Sequence, residues 1–342
     1  MLKPISFALL AAAVLMSTPV QASVIKIATL TPEGSRWMND MRAGAAEIKE
    51  RTDGRVVIKF YGGGVMGSTK TVWRKMRVGQ LQGSTFVSSG LAGRYDDLQI
   101  YSLPLLFRNL DEVDFVRKTL DPIFKQGMED AGYKTFGIAE GGFAMLMSNV
   151  PVRTLEDLKG QKVWVPEGDA ISYAAMDALG LSPVSLPLTD VMTGLQTGLI
   201  DIVASSSMAA IVFQWHTKVK YVTRLPIAYL TATLAIEKRA FDRLTPNDQG
   251  IVTQVFEGIY ANFDVVNRRD DEHAAMALQT AGLEFVDPDP TQVGEWYRIV
   301  GESNRRMGEE ESAFNVENYQ AVLDLISEFR ARRTAAAVGG NG

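Results

Sequence analysis

The chain has 342 residues, a formal net charge of −5 and 46% hydrophobic residues. That length suits two globular domains with full cores, and the mild acidity argues against a nucleic-acid partner, because composition forces no basic face. The absence of cysteine and the wide separation of the only two histidines, His216 and His273, speak against a structural zinc site and a disulfide framework, and no cofactor is expected.

The first 22 residues read as a secretory signal. Lys3 supplies the positive start, residues 5–16 an apolar run, and Val20-Gln21-Ala22 a small-residue cleavage site. The run is shorter than the roughly 20 residues of a membrane span. Cleavage near Ala22 therefore predicts an exported, periplasmic chain. Residues 24–29 alternate as a half-buried strand, and residues 37–52 have helical spacing, with Trp37, Met41, Ala45 and Ile48 on one face. Asp53-Gly54 turns the chain into a second strand, 56–61, and Gly62-Gly63-Gly64 and Gly67 lead into a helix through Val72 and Met76. With a third strand at 83–88, this order predicts an α/β domain on a largely parallel sheet.

Residues 110–131 are helical, and 133–139 and 144–148 read as two strands separated by Gly141-Gly142. Short strands at 162–166, 185–186 and 200–204, alternating with helices at 171–179 and 188–197, repeat the α/β pattern. Thr245-Pro246 is a capping residue followed by proline at the first helical position. The helix it opens continues to about Thr280, long enough at about 50 Å to bridge two domains. Residues 293–307 and 320–332 give two more helices, and the small, polar residues 335–342 are expected to be disordered.

Residues 157–166, Asp-Leu-Lys-Gly-Gln-Lys-Val-Trp-Val-Pro, resemble the DLKGxKxRVP signature of the DctP-type solute receptors of TRAP transporters. Residues 188–201, with Leu-Gln-Thr-Gly at their centre, are similar to a second segment of that family, and the long helix matches its domain-spanning helix. The resemblance implies two α/β lobes, residues 24–141 with 230–269 and residues 142–229 with 270–330. It implies a solute cleft between them that closes, and a membrane permease of two integral subunits as partner. It implies binding rather than catalysis.

The family's anchor arginine, which holds the ligand carboxylate, aligns with Trp164. A second family arginine aligns with Ala144, beside Phe143, and a family asparagine with Ser205. Three carboxylate-facing positions are thus Trp, Ala and Ser. An indole offers one N–H and a broad apolar face where a guanidinium offers a bidentate fork, and a cleft that closes on an unpaired carboxylate costs several kcal/mol. The expected ligand is therefore neutral or apolar, with Trp164 as a stacking wall. Ser206, Trp215, Trp37 and Ser88 complete the candidate ligand-binding set, and Met66 is a further apolar candidate. Arg94, Arg153 and Arg224 are the cations that a relocated carboxylate site would use. Loss of the arginine together with the start Pro32-Glu33-Gly34-Ser35-Arg36-Trp37 resembles the subgroup associated with TPR proteins, which implies a periplasmic TPR partner. The Gly-rich segment 62–70 lacks the Gly-Lys-Ser/Thr order of a P-loop, and no G-x-S-x-G or H-E-x-x-H is present.

Overall fold

The computed structural model describes residues 22–339; apart from Ala22, the expected signal segment lies outside the described residues. The chain opens with β1 (Ser23–Ala28), α1 (Arg36–Arg51), β2 (Val56–Tyr61), α2 (Thr69–Arg77) and β3 (Gly83–Val87). Ser35 caps α1 by accepting the Met38 N–H, and Met38, Met41, Ala45 and Ile48 turn inward at helical spacing. β1 pairs in parallel with β2 and β3. Then come α3 (Leu110–Asp130), β4 (Tyr133–Lys134) and β5 (Ala139–Ser148), followed by β6 (Trp164–Pro166), α4 (Ala170–Ala178), β7 (Val184–Leu186), α5 (Val191–Thr197), β8 (Ile202–Ser205) and α6 (Ser207–Val212). The chain returns through β9 (Tyr221–Glu237), α7 (Lys238–Phe241), α8 (Pro246–Thr280), β10 (Glu284–Val286), α9 (Pro290–Glu309) and α10 (Val316–Gly339).

One sheet, in the order β2-β1-β3-β9-β5-β8, runs through both lobes. It does so because β5 and β9 are long enough to serve two cores. The end of β9 pairs antiparallel with β3, while its beginning pairs with β10 and with the last residues of β5. The two strands expected at 133–139 and 144–148 are instead the two-residue β4 and one long β5. The Gly141-Gly142 break is a bulge within β5, where the register shifts between Glu140 and Gly142. The 17 residues of β9 were not anticipated.

α8 does bridge. Thr245 caps it, Pro246 is its first residue, and its 35 residues reach about 52 Å. Val252, Phe256, Tyr260 and Phe263 enter the core of the first lobe with Ile27, Met41 and Phe60. Leu278 enters the core of the second with Val191, Val203 and Trp215. α10 corrects the assignment of residues 316–330 to the second lobe. Its Tyr319, Val322 and Ile326 pack with Val113, Leu120 and Phe124 of the first lobe, and Arg330 donates to Glu112 on α3 at 2.8 and 3.0 Å. An apolar stripe announces burial but not the surface that buries it. The tail expectation is corrected too: residues 335–339 continue α10, since alanine is the strongest helix former, and residues 340–342 lie outside the described residues.

The crossing is clamped by buried charge. Arg117 of α3 donates to Asp264 and Tyr229 at 2.9 Å, to Asp121 at 2.9 Å and to the Ile138 carbonyl. Arg268 of α8 binds both Glu140, 2% exposed, and Asp114. Glu140 also accepts from Tyr229 at 3.1 Å. Removing one partner of such a network strands the others in a low dielectric, at a cost of about 3–5 kcal/mol. Arg117→Ala is therefore expected to lower the urea midpoint by an amount of that order. Arg298→Ala, which removes an exposed pairing with Glu295 and Glu302, is expected to leave the urea midpoint essentially unchanged, because solvent screens that pairing.

Candidate functional site

The C-terminal ends of β1 and β3 and the loop from β2 into α2 surround a pocket. Such strand ends are where open α/β sheets collect ligands. Ala28, Thr29, Leu30, Gly64, Met66, Gly67, Thr69, Val72, Ser84, Thr85 and Phe86 outline a recess of about 10 Å³, room for about one water as the lobes stand. No lining side chain is ionisable. The hydroxyls are built into the wall: Thr85 donates to Thr29 at 2.6 Å, and Ser84 donates to the Ala28 carbonyl at 2.9 Å. Ser68, at the cap position of α2, makes no side-chain cap bond, which leaves the first-turn N–H groups of this helix without a side-chain cap.

The lobes meet at the same place. Gly64 has φ +73°, and a Cβ there would lie 3.1 Å from Cγ2 of Thr189 and 3.5 Å from Cδ2 of Leu30. Thr189 belongs to the turn between β7 and α5, so glycine is what lets the first lobe's loop approach the second lobe. Ile171 and Ala174 of α4 join the apolar cluster of the first lobe, as do Met66 and Phe143. Asp169 caps α4, accepting from the N–H and hydroxyl of Ser172 at 2.9 and 2.8 Å; burial raises its carboxyl above the usual range.

Deeper in, β5, α6 and α8 converge on Gly142. Its φ is +81°, and a Cβ there would lie 3.3 Å from both Cγ of Asp271 and Cβ of Ser206. Asp271 accepts from the Met208 N–H at 2.7 Å and so ties the start of α6 to the bridging helix. Burial, with a smaller push from the negative charges of Glu140 and Glu272, raises its carboxyl to about 6.

The sequence-predicted residues fall mostly into packing. Trp164 is 6% exposed; its indole N–H donates to the Leu186 carbonyl of β7 at 3.0 Å, and its ring meets Trp215 edge-on at 5.4 Å. A buried indole needs a partner for its N–H, and the backbone supplies one; with the ring turned onto Trp215, the expectation of Trp164 as a stacking wall for the solute is corrected to a packing role. Trp215 is itself buried and stacks on Phe213. Trp37 packs against Phe60 and Phe263. Ala144 is buried in β5 opposite Ala228, and the Ser88 hydroxyl pairs with that of Thr231. Ser205 donates to the Ser206 carbonyl, and Ser206 caps α6. Phe143, half-buried and edge-on to Tyr229 at 5.6 Å, is the predicted residue that sits at the seam between the lobes. The three candidate arginines lie elsewhere: Arg94 over Trp73, and Arg153 and Arg224 on Asp287. Thr29, Thr69 and Thr85 went unpredicted, although strand-end position was the signal available for Thr29 and Thr85. His216 lies against the Ala210 carbonyl, and no cluster of metal-ligating side chains occurs among the described residues.

The model of the bacterial extracellular solute-binding proteins, family 7, matches residues 27–311. An uncharacterized protein of Salmonella typhimurium is 27% identical over 219 residues, 60% of this chain and 64% of that protein. The 2,3-diketo-L-gulonate-binding periplasmic protein of Escherichia coli is 28% identical over 250 residues, 70% of this chain and 73% of that one. The crystal structure of a TRAP periplasmic solute binding protein from Xanthobacter autotrophicus, with bound β-D-galacturonate, superposes with a TM-score of 0.80 at 21% identity. It covers 89% of this chain and 99% of that one, and shows the same two-lobed fold.

Two outcomes follow from this geometry. Trp164→Arg places a guanidinium in an apolar cluster and removes the bond to Leu186; it is expected to cost about 3–5 kcal/mol, read as a lowered thermal midpoint, and to confer no acid binding. Asp271→Asn tests the raised carboxyl. An unfolded aspartate titrates near 3.9, so the native state holds this proton more tightly, and the stability it brings is full below about pH 4 and lost as pH rises through 6. The midpoint of the variant relative to the natural chain is therefore expected to rise between pH 4 and pH 7, by at most about 2–3 kcal/mol equivalent. Parallel pH profiles would contradict the assignment.

Proposed function

The chain belongs to the bacterial extracellular solute-binding proteins, family 7, periplasmic receptors that hand small molecules to TRAP permeases, and from that premise we propose that this receptor closes its two lobes over a small neutral or apolar solute. The observation that carries the reading is the pocket at the closing edge, walled by hydroxyls, methyl groups, Met66 and Phe86 without an ionisable side chain. Closing on a lone carboxylate there would bury a charge with no cation among the lining side chains to meet it. Phe143 and Ile171, which join the same apolar cluster as Met66, extend the wall toward the seam. In this reading Trp164 stiffens the second lobe behind the cleft, and its indole replaces the family's arginine without touching the solute. The signal segment is removed near Ala22. The first lobe comprises residues 24–141 and 230–269 with the C-terminal helix, and the second comprises 142–229 and 270–309. This reading adds a periplasmic TPR protein as a further partner, which co-purification with the receptor checks.

A second reading is favoured by one contact. The Lys75 ammonium lies 3.6 Å from the sulfur of Met66 in the pocket wall, and α2 presents an uncapped N-terminus nearby. Together they offer an acid an alternative anchor, and the two named comparison proteins that have a ligand take sugar acids. Native mass spectrometry of gently purified receptor, followed by extraction of the carried solute, separates the readings. A neutral or apolar molecule is expected, with no thermal shift from galacturonate, glucuronate or succinate. A uronate or dicarboxylate bound with micromolar affinity contradicts the first reading.

A further inference from the structure

α2 carries Lys70, Arg74 and Arg77 at spacings of four and three residues, which puts all three on one face, and all three are exposed. Arg94 stands beside them, its guanidinium 5.4 Å over the Trp73 ring. None of the four forms an ion pair among the described residues, whereas most arginines of the molecule do. The chain as a whole is acidic, at −5, so this concentration of unpaired positive charge is local. Helix stability does not account for it. Cations in the last turn suit the helix dipole, but Lys70 sits in the first turn, where a positive charge is unfavourable and no acid accompanies it. The stripe is flanked by two exposed apolar side chains, Val65 at 72% and Val78 at 63%. Val65 follows Gly64, the residue that meets Thr189 of the other lobe.

We propose that this face of α2, with Arg94, Val65 and Val78, docks an acidic protein surface, that of the membrane permease the receptor serves. The inference rests on the reading of the chain as a delivering receptor. Opposite charge steers encounter and fixes register, and the two valines give the patch an apolar element at each end. Because the patch begins at the edge where the lobes meet, a partner seated there also touches the place that differs between an open and a closed cleft.

The test measures binding of purified receptor to its permease in nanodiscs of zwitterionic lipid, over a series of salt concentrations. The natural chain is expected to bind more weakly as salt rises. Lys70→Glu/Arg74→Glu/Arg77→Glu is expected to bind at least tenfold more weakly with circular dichroism and carried solute unchanged. Lys70→Glu/Arg94→Glu, which leaves the last turn of α2 intact, is expected to fall between the two. Binding of either variant with the affinity and salt dependence of the natural chain overturns the docking face and leaves delivery standing. Failure of the natural chain to bind the permease overturns delivery and docking together. Equal binding of the natural chain to protein-free phosphatidylglycerol vesicles identifies a lipid surface instead and overturns the acidic protein.

Discussion

The contact between Arg268 and Glu140, with Arg117 holding Asp264 and Tyr229 beside it, is the constraint on which the two-lobed arrangement depends. Glu140 stands in β5 one residue before Gly141-Gly142, where the strand passes from one core to the other, and Arg268 stands on α8 as it makes the same passage. A buried carboxylate is tolerated only if it is paired and hydrogen-bonded. The network therefore keeps strand and helix together at the crossing, while the bulge at Gly142 permits the backbone to bend there. Asp271, one helical turn beyond Arg268, extends the same tie to α6.

This arrangement sets what the cleft can offer. With charge concentrated at the crossing and matched there, the recess at the strand ends of the first lobe is lined by threonines, methionine and small apolar groups, with Thr189 of the second lobe beside its Gly64. In the proposed reading, selectivity in this recess comes from shape and from a few hydroxyls rather than from an ion pair. The basic stripe of Lys70, Arg74 and Arg77 lies outside it, on the exposed face of α2, whereas Lys75 of the same helix reaches the Met66 sulfur.

Much of the fold was legible because its cause is local. The alternation of residues 24–29, the capped amphipathic helix after Ser35 and the Pro246 start of α8 each declare an element without reference to the rest. β9 was not legible, because a strand that serves two cores is buried differently along its length and shows no single period. The partner of α10 was not legible either, since Tyr319, Val322 and Ile326 state only that some surface covers them. Trp164 illustrates the limit for the site. Alignment to a motif found the substitution of an arginine, and the chemical consequence drawn from it, the loss of a cation at that position, needs only the residue type. The direction of the indole depends on the Leu186 carbonyl and on Trp215, which the topology brings in from 22 and 51 residues away along the chain. Thr29 and Thr85 were hidden for a similar reason: a threonine at a strand end is common, and only their convergence with α2 makes a pocket.

A solute held in an uncharged pocket at the closing edge would touch no cationic side chain. A crystal structure of the receptor purified with its natural solute tests this most directly. Solute density is expected against Thr29, Thr69, Thr85, Met66 and Phe143, with Thr189 over the opening and no cationic side chain in contact. A carboxylate held by Lys75 or by any arginine, or a solute stacked on an exposed Trp164, would contradict it.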